Sequence, residues 1–213
     1  MGNIKVRVES LIGATGITGE DTHFCAAINE IMDLLPQDLL MKYAPSFSTL
    51  DDSAPTYGGV EGKKLLAVTR KDAGGTERSV TPIALEKFSL AADTDSLYEA
   101  TKYSPVYALD VDGGDTALKM YPEPTETETA KIYYLPYKTT ADLSEDDAIS
   151  DFPTMAEYAV IIKTAINLLM TKLSDAVQDE EDNEIQVMLQ AQIGQLQEMF
   201  KNEMSRLGGG TVE

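Results

Sequence analysis

The sequence predicts an α+β fold: a helical bundle, formed by an N-terminal helix and a C-terminal antiparallel helical hairpin, with a small antiparallel β domain inserted between them. Three observations predict it. Apolar residues recur at spacings of three and four in two runs within residues 153–207, the pattern of two amphipathic helices. Short β-type runs separated by Gly-Gly pairs fill residues 61–138. A third helical run, closed by Pro36, precedes them.

In chain order, Ile4, Val6 and Val8 alternate with polar residues and predict a short extended segment. Gly13, Gly16 and Gly19 interrupt the chain, and Asp21 or Thr22 is placed to cap a helix carrying Phe24, Ile28, Ile31 and Leu35. A short helix from Asp38 to Tyr43 is expected after Pro36. The Ser, Pro, Gly and Asp content of residues 45–60 is that of a loop. Residues 1–60 therefore read as an N-terminal arm, a broken helix and a loop.

The β insertion, 61–138, begins with Leu65–Thr69, and Gly74-Gly75 supplies a turn before Arg78-Ser79-Val80. Tyr107–Val111 and Ala117–Tyr121 flank Asp112-Gly113-Gly114-Asp115, the clearest hairpin signal in the chain. Lys131–Leu135 is expected to be a third strand of that same sheet. An acidic linker then opens the segment 139–207. Pro153 suits the first turn of a helix with Met155, Ala159, Ile162, Ile166, Leu169 and Leu173 on one stripe. After a turn, a second helix carries Ile185, Met188, Leu189, Gln192, Leu196, Met199, Phe200 and Leu207. Gly208, Gly209 and Gly210 end it and predict a flexible tail over 208–213. The second stripe is broad and contains Gln192 and several methionines, so it suits either its own partner helix or a neighbouring subunit.

Composition narrows the function. With 17 basic residues against 36 acidic ones the net charge is −19, and no clustered Lys/Arg face for gripping phosphates is present. An acidic surface can still surround DNA without holding it. Cys25 is the only cysteine, which excludes an internal disulfide. No run of about 18 apolar residues predicts a membrane span.

Three motifs invite a chemical reading. Gly13, Gly16 and Gly19 resemble the phosphate loop of NAD(P)-dependent short-chain reductases, and Tyr98 with Lys102 has the spacing of that family's catalytic pair. The alternating strands and helices that such a loop requires do not follow it, and Glu20 and Asp21 would face the phosphates. Asp110, Asp112 and Asp115 are spaced somewhat like a calcium loop, but Lys119-Met120-Tyr121 stands where the bidentate glutamate belongs, and a hairpin turn accounts for them. His23 and Cys25 do not share a helix face. No catalytic residue, cofactor or metal site is therefore expected.

The order of segments is similar to the head-to-tail connector adaptor (neck) proteins of tailed bacteriophages. The similarity runs over about 107–205 through Leu118-Lys119-Met120-Tyr121-Pro122-Glu123-Pro124, Tyr133-Tyr134-Leu135-Pro136, Phe152-Pro153 and Tyr158-Ala159-Val160. The resemblance implies a non-enzymatic virion protein, assembled in the host cytoplasm, that forms a ring of copies of itself, commonly twelvefold. Such a ring docks on the portal protein, joins it to a tail or neck protein, and lines the channel through which genomic DNA passes without specific binding. It makes Ile185, Met188, Gln192, Met199 and Phe200 the ring-interface candidates, and Gly208, Gly209, Gly210, Thr211, Val212 and Glu213 the portal-contact candidates. A stopper or tail-terminator ring is the alternative within the virion.

Overall fold

The computed structural model describes residues 4–13, 20–42, 46–112, 114–142, 149, 152–178 and 183–208, with the backbone alone for Ile4, Asp112 and Asp142. The chain is α+β and divides into two compact units. One is helical and discontinuous, Met1–Ala44 with Lys138–Glu213; the other is Pro45–Tyr137 and carries the strands.

The helical unit is organised around α5 (Glu157–Gln178), which packs against α6 (Asn183–Arg206), α2 (Glu20–Leu34) and α1 (Ile4–Ile12). This explains a departure from the sequence reading. A single stripe was expected on α5, yet Val160, Ile161, Ala165 and Leu168 are as buried as Ala159, Ile162, Ile166 and Leu169. A helix enclosed by three others is apolar all round. Three contacts fix the direction of α5 against α6: Gln186 Nε2 donates to Ala176 O, Lys163 lies over the Phe200 ring, and Arg206 donates to Met155 O, two residues before α5 begins. Later residues of one helix meet earlier residues of the other, so the pair is antiparallel. Lys163 also donates to Glu30 of α2 at 2.6 Å, joining three helices through one side chain.

The N-terminal segment corrects the expectation of an extended strand: Ile4–Ile12 is helical. Val8 and Leu11 satisfy a helical period as well as Ile4, Val6 and Val8 satisfy alternation. Packing selects the helix, because Val8 is buried on it while Val6 is 58% exposed. Ion pairs of Lys5 with Glu20 and Arg7 with Glu157 hold α1 to α2 and α5. Gly13, at φ +75°, ends α1 by donating its N–H to Glu9 O at 2.7 Å, in the left-handed conformation that glycine accepts. The short helix expected after Pro36 is α3 (Gln37–Met41).

The β unit contains a four-stranded sheet, β1 (Ser46–Leu50), β7 (Ala130–Pro136), β2 (Lys63–Lys71) and β3 (Glu77–Ser79) in spatial order. A second sheet has β4 (Thr81–Pro82), β5 (Val106–Asp112) and β6 (Asp115–Tyr121). Their common core is Leu50, Val60, Val68, Val80, Leu118, Met120, Ala130 and Ile132.

Several sequence expectations change here. Residues 46–50 are a strand, not loop: β1 pairs Phe47 with Tyr133 and Leu50 with Ala130. Its Ser and Thr residues suit an edge strand with only Leu50 buried. The strand Lys131–Leu135 does not extend the β5–β6 hairpin; β7 lies between β1 and β2. Arg70 provides the reason, since its guanidinium donates to Glu123 O and to the Glu128 carboxylate and so pins residues 123–128 beside β2. Alternate burial of Ala130 and Ile132 then turns β7 toward the core. The insertion is not wholly antiparallel, because β4 runs parallel to β5. There Thr81 N–H and Ile83 N–H donate to Pro105 O and Tyr107 O, so Pro82 needs no donor. The sequence reading also missed α4 (Leu85–Ala91).

The β2–β3 turn is built by Asp72. Its Oδ1 accepts from the N–H groups of Gly74 and Thr76, and its Oδ2 accepts from Arg78 Nε at 2.8 Å. Those hydrogen bonds, the Thr76 amide first and then the Arg78 guanidinium, hold the Asp72 carboxyl below the usual carboxylate range.

Candidate interaction surface

On α6, Leu189, Ile193, Leu196, Phe200 and Met204 are buried at spacings of four, three, four and four. That stripe faces α5. It contains Phe200, whose ring lies under Lys163, so the helical unit itself consumes this ring-interface candidate. Gln192 is half-buried and donates to Leu11 O at 3.3 Å, which ties α6 to the end of α1. Ile185, Met188 and Met199 are exposed, Met188 by 62%. The structure therefore separates the five candidates into two that serve the chain's own fold and three that face outward.

Val187 was missed by the sequence reading, yet at 65% it is the most exposed large apolar side chain of α6. It lies opposite the buried stripe, as do Ala191 and Gly194, four and seven residues on. A sequence signal for this face exists. Between Glu184 and Glu198 no residue of α6 carries a charge, although a quarter of the chain, 25%, is Asp, Glu, Lys or Arg. Glutamine supplies the polar positions of that run, as at Gln190, Gln192, Gln195 and Gln197.

A second uncharged surface is on α5. Met170, Leu173, Ser174, Val177 and Gln178 line an open groove of about 360 Å³. Met170 and Val177 are exposed there, whereas Ala159–Ile162 and Thr164–Ile166 in the first half of the helix are buried.

Of the portal-contact candidates, Gly208 ends α6 at φ +70°, and its N–H donates to Ser205 O. Gly209, Gly210, Thr211, Val212 and Glu213 lie outside the described residues, as do Gly16 and Gly19.

The remaining motifs come apart in space. Tyr98 is stacked under Lys87, and Lys102 lies over Tyr103, so the Tyr98/Lys102 spacing does not form a pair. The residues before Gly13 form a helix, not the strand a dinucleotide loop needs. Asp110 accepts from Lys119 Nζ at 2.6 Å, which keeps its carboxyl below the usual range, and Asp112 and Asp115 close the β5–β6 hairpin. Among the described residues no group of three or more His, Cys, Asp or Glu is arranged to hold a metal ion. No helix among them is long and apolar enough to cross a membrane. Cys25 is buried in α2.

No protein-family model matches the chain, and no curated protein matches its sequence.

Proposed function

We propose that this chain is a structural subunit of a phage head-to-tail connector, an adaptor ring that joins portal to tail and lines the DNA channel. In this reading the helical unit is the bundle that builds the ring, and the β unit inserted between Ala44 and Lys138 reaches a partner. The observation that carries it is the two-sidedness of α6. One side closes the unit's own core, and beside it Ile185, Met188 and Met199 are exposed on a helix of a chain whose net charge is −19. A net charge of −19 suits a channel wall that DNA must slide past, because like charge keeps the phosphates from binding. The chain acts without catalysis, and its partners are further copies of itself, a portal protein, and a tail or neck protein. It works in the virion.

Negative-stain electron microscopy of the chain, alone and mixed with the portal ring of its own phage, tests this. Ring-shaped particles, or portal rings gaining a layer of added density, support the reading. A chain that stays monomeric and leaves portal rings unchanged contradicts it.

A further inference from the structure

We propose that Tyr57 and Tyr134 form an oxidative cross-linking site, at which a one-electron oxidant joins the two rings as a dityrosine. The site lies wholly within the β unit, so it stands whether or not the chain forms a ring.

The two ring centroids are 5.7 Å apart with 33° between the ring planes, the one tyrosine–tyrosine ring contact among the described residues. Both rings are placed by the backbone. Tyr134 lies within β7, paired with Ser46 on one side and Leu65 on the other. Tyr57 exchanges both backbone hydrogen bonds with Leu118 of β6, at 3.1 and 2.8 Å. Lys63 stands over the two rings, 4.8 and 4.9 Å from their centroids, and donates to the Tyr57 hydroxyl at 2.8 Å. The Tyr134 phenol oxygen is hydrogen-bonded to the Tyr57 and Ser48 hydroxyls. Those hydrogen bonds, Tyr57 first, and the Lys63 charge hold the Tyr134 phenol below the ordinary tyrosine value. Both side chains are half-buried, so a small oxidant reaches them.

Other tyrosines lack this combination. Tyr133 points to the opposite face of β7 and meets Phe47, which has no phenol. Tyr98 and Tyr103 lie under cations, and burial pushes the Tyr107 phenol up. A tyrosinate gives up an electron more readily than a neutral phenol, so oxidation starts at Tyr134. Each phenol loses one electron and its proton, and the two radicals join at ring carbons ortho to oxygen. The hydrogen on each joined carbon then leaves as a proton while each oxygen regains one, and both rings are aromatic again. Two equivalents of oxidant take the two electrons, and the two net protons go to water.

The test oxidises the purified full chain with photogenerated ruthenium(III) tris-bipyridine, persulfate being the terminal acceptor, and follows dityrosine fluorescence in the monomer band of a denaturing gel. Peptide mass spectrometry is expected to find the segments containing Tyr57 and Tyr134 joined with the loss of two hydrogens. Tyr57→Phe and Tyr134→Phe each abolish this product, while Tyr133→Phe leaves it unchanged, with circular dichroism as the folding check. Ser48→Ala keeps both rings and raises the midpoint of the rate's pH profile by roughly 0.5–1, the loss of one hydrogen bond to the phenol oxygen. If the product persists in Tyr57→Phe, joins other tyrosines, or links separate chains instead of closing within one, the proposal is overturned. An unchanged pH profile in Ser48→Ala overturns it as well, because the hydrogen-bonded Tyr134 phenol is then not where oxidation starts.

Discussion

Asn29 holds the backbone of Lys138 from both sides: its Nδ2 donates to Lys138 O at 2.9 Å, and its Oδ1 accepts from Lys138 N–H at 2.7 Å. These residues are 109 positions apart, and Lys138 is where the chain re-enters the helical unit after the strands. The amide of a helix residue thus plays the part of a ladder partner at the place where β7 has ended. Asn29→Leu removes both hydrogen bonds and leaves a partly buried peptide unit unsatisfied, which costs about 1–3 kcal/mol. Asn29→Asp keeps the acceptor and loses the donor, so it falls between Leu and the wild type. Urea denaturation followed at 222 nm measures the order.

Arg70 and Glu128 make an unequal pair. Arg70 is 2% exposed, with its Nε lacking a partner among the described residues, and Glu128 has a side chain 20% exposed. Removing the acid strands a charge in the interior, whereas removing the base leaves a carboxylate that reaches water. Glu128→Ala is therefore expected to destabilise the β unit by about 3 kcal/mol and Arg70→Met by less. The reverse order in urea midpoints would contradict this account of the pair.

How far the sequence could be read follows from where each signal resides. The C-terminal hairpin was legible because its periodicity runs through two long helices, and the β5–β6 hairpin because Asp112-Gly113-Gly114-Asp115 marks it locally. The placement of β7 was not legible. It depends on Arg70 gripping residues 123–128 from across the chain, and no window around residue 131 contains that arginine. Likewise, Val6 and Val8 alternate in sequence, but the partner helix α5 decides that only Val8 is buried. Ile185, Met188, Gln192, Met199 and Phe200 share one broad stripe in the sequence, yet the fold uses Gln192 and Phe200 inside the chain and leaves the other three exposed. Periodicity gives a face, and only the fold gives what covers it.

The carboxyls of Asp72, Asp110 and Asp51 are all held low, Asp72 by the Thr76 amide and Arg78, Asp110 by Lys119, and Asp51 by Ser53. Each folded-state pKa lies below the unfolded value of about 3.9, so in that interval the unfolded chain binds more protons. Stability from these groups is complete above about pH 5 and is lost as the pH falls through the folded values. Comparing wild type with Asp72→Asn cancels the effect of the overall charge. The wild type should lose midpoint faster between about pH 5 and pH 3. Parallel curves would show that the turn formed by Asp72 contributes no acid sensitivity.

Gly194 lies inside α6 with open space where a Cβ would stand, so Gly194→Ala tests the helix by itself. In a single chain it adds about 0.5–1 kcal/mol of stability, the difference between alanine and glycine in a helix with open space for the new Cβ. Thermal unfolding at a concentration low enough to keep the chain dissociated measures that gain.

Salt reports on the same balance from another side. Repulsion between chains of net charge −19 opposes assembly, and ions screen it over about 8–10 Å near physiological strength. Raising sodium chloride from about 0.01 to 0.15 M should strengthen self-association. A contact held together by surface ion pairs would weaken instead.

The central claim is that α6 joins copies of this chain into a ring. Its most direct measurement is the particle mass and symmetry by sedimentation velocity and electron microscopy, for the chain alone and on its portal. A closed ring with α6 at every subunit boundary is the predicted result. A monomer that neither closes a ring in solution nor adds density to the portal would contradict it.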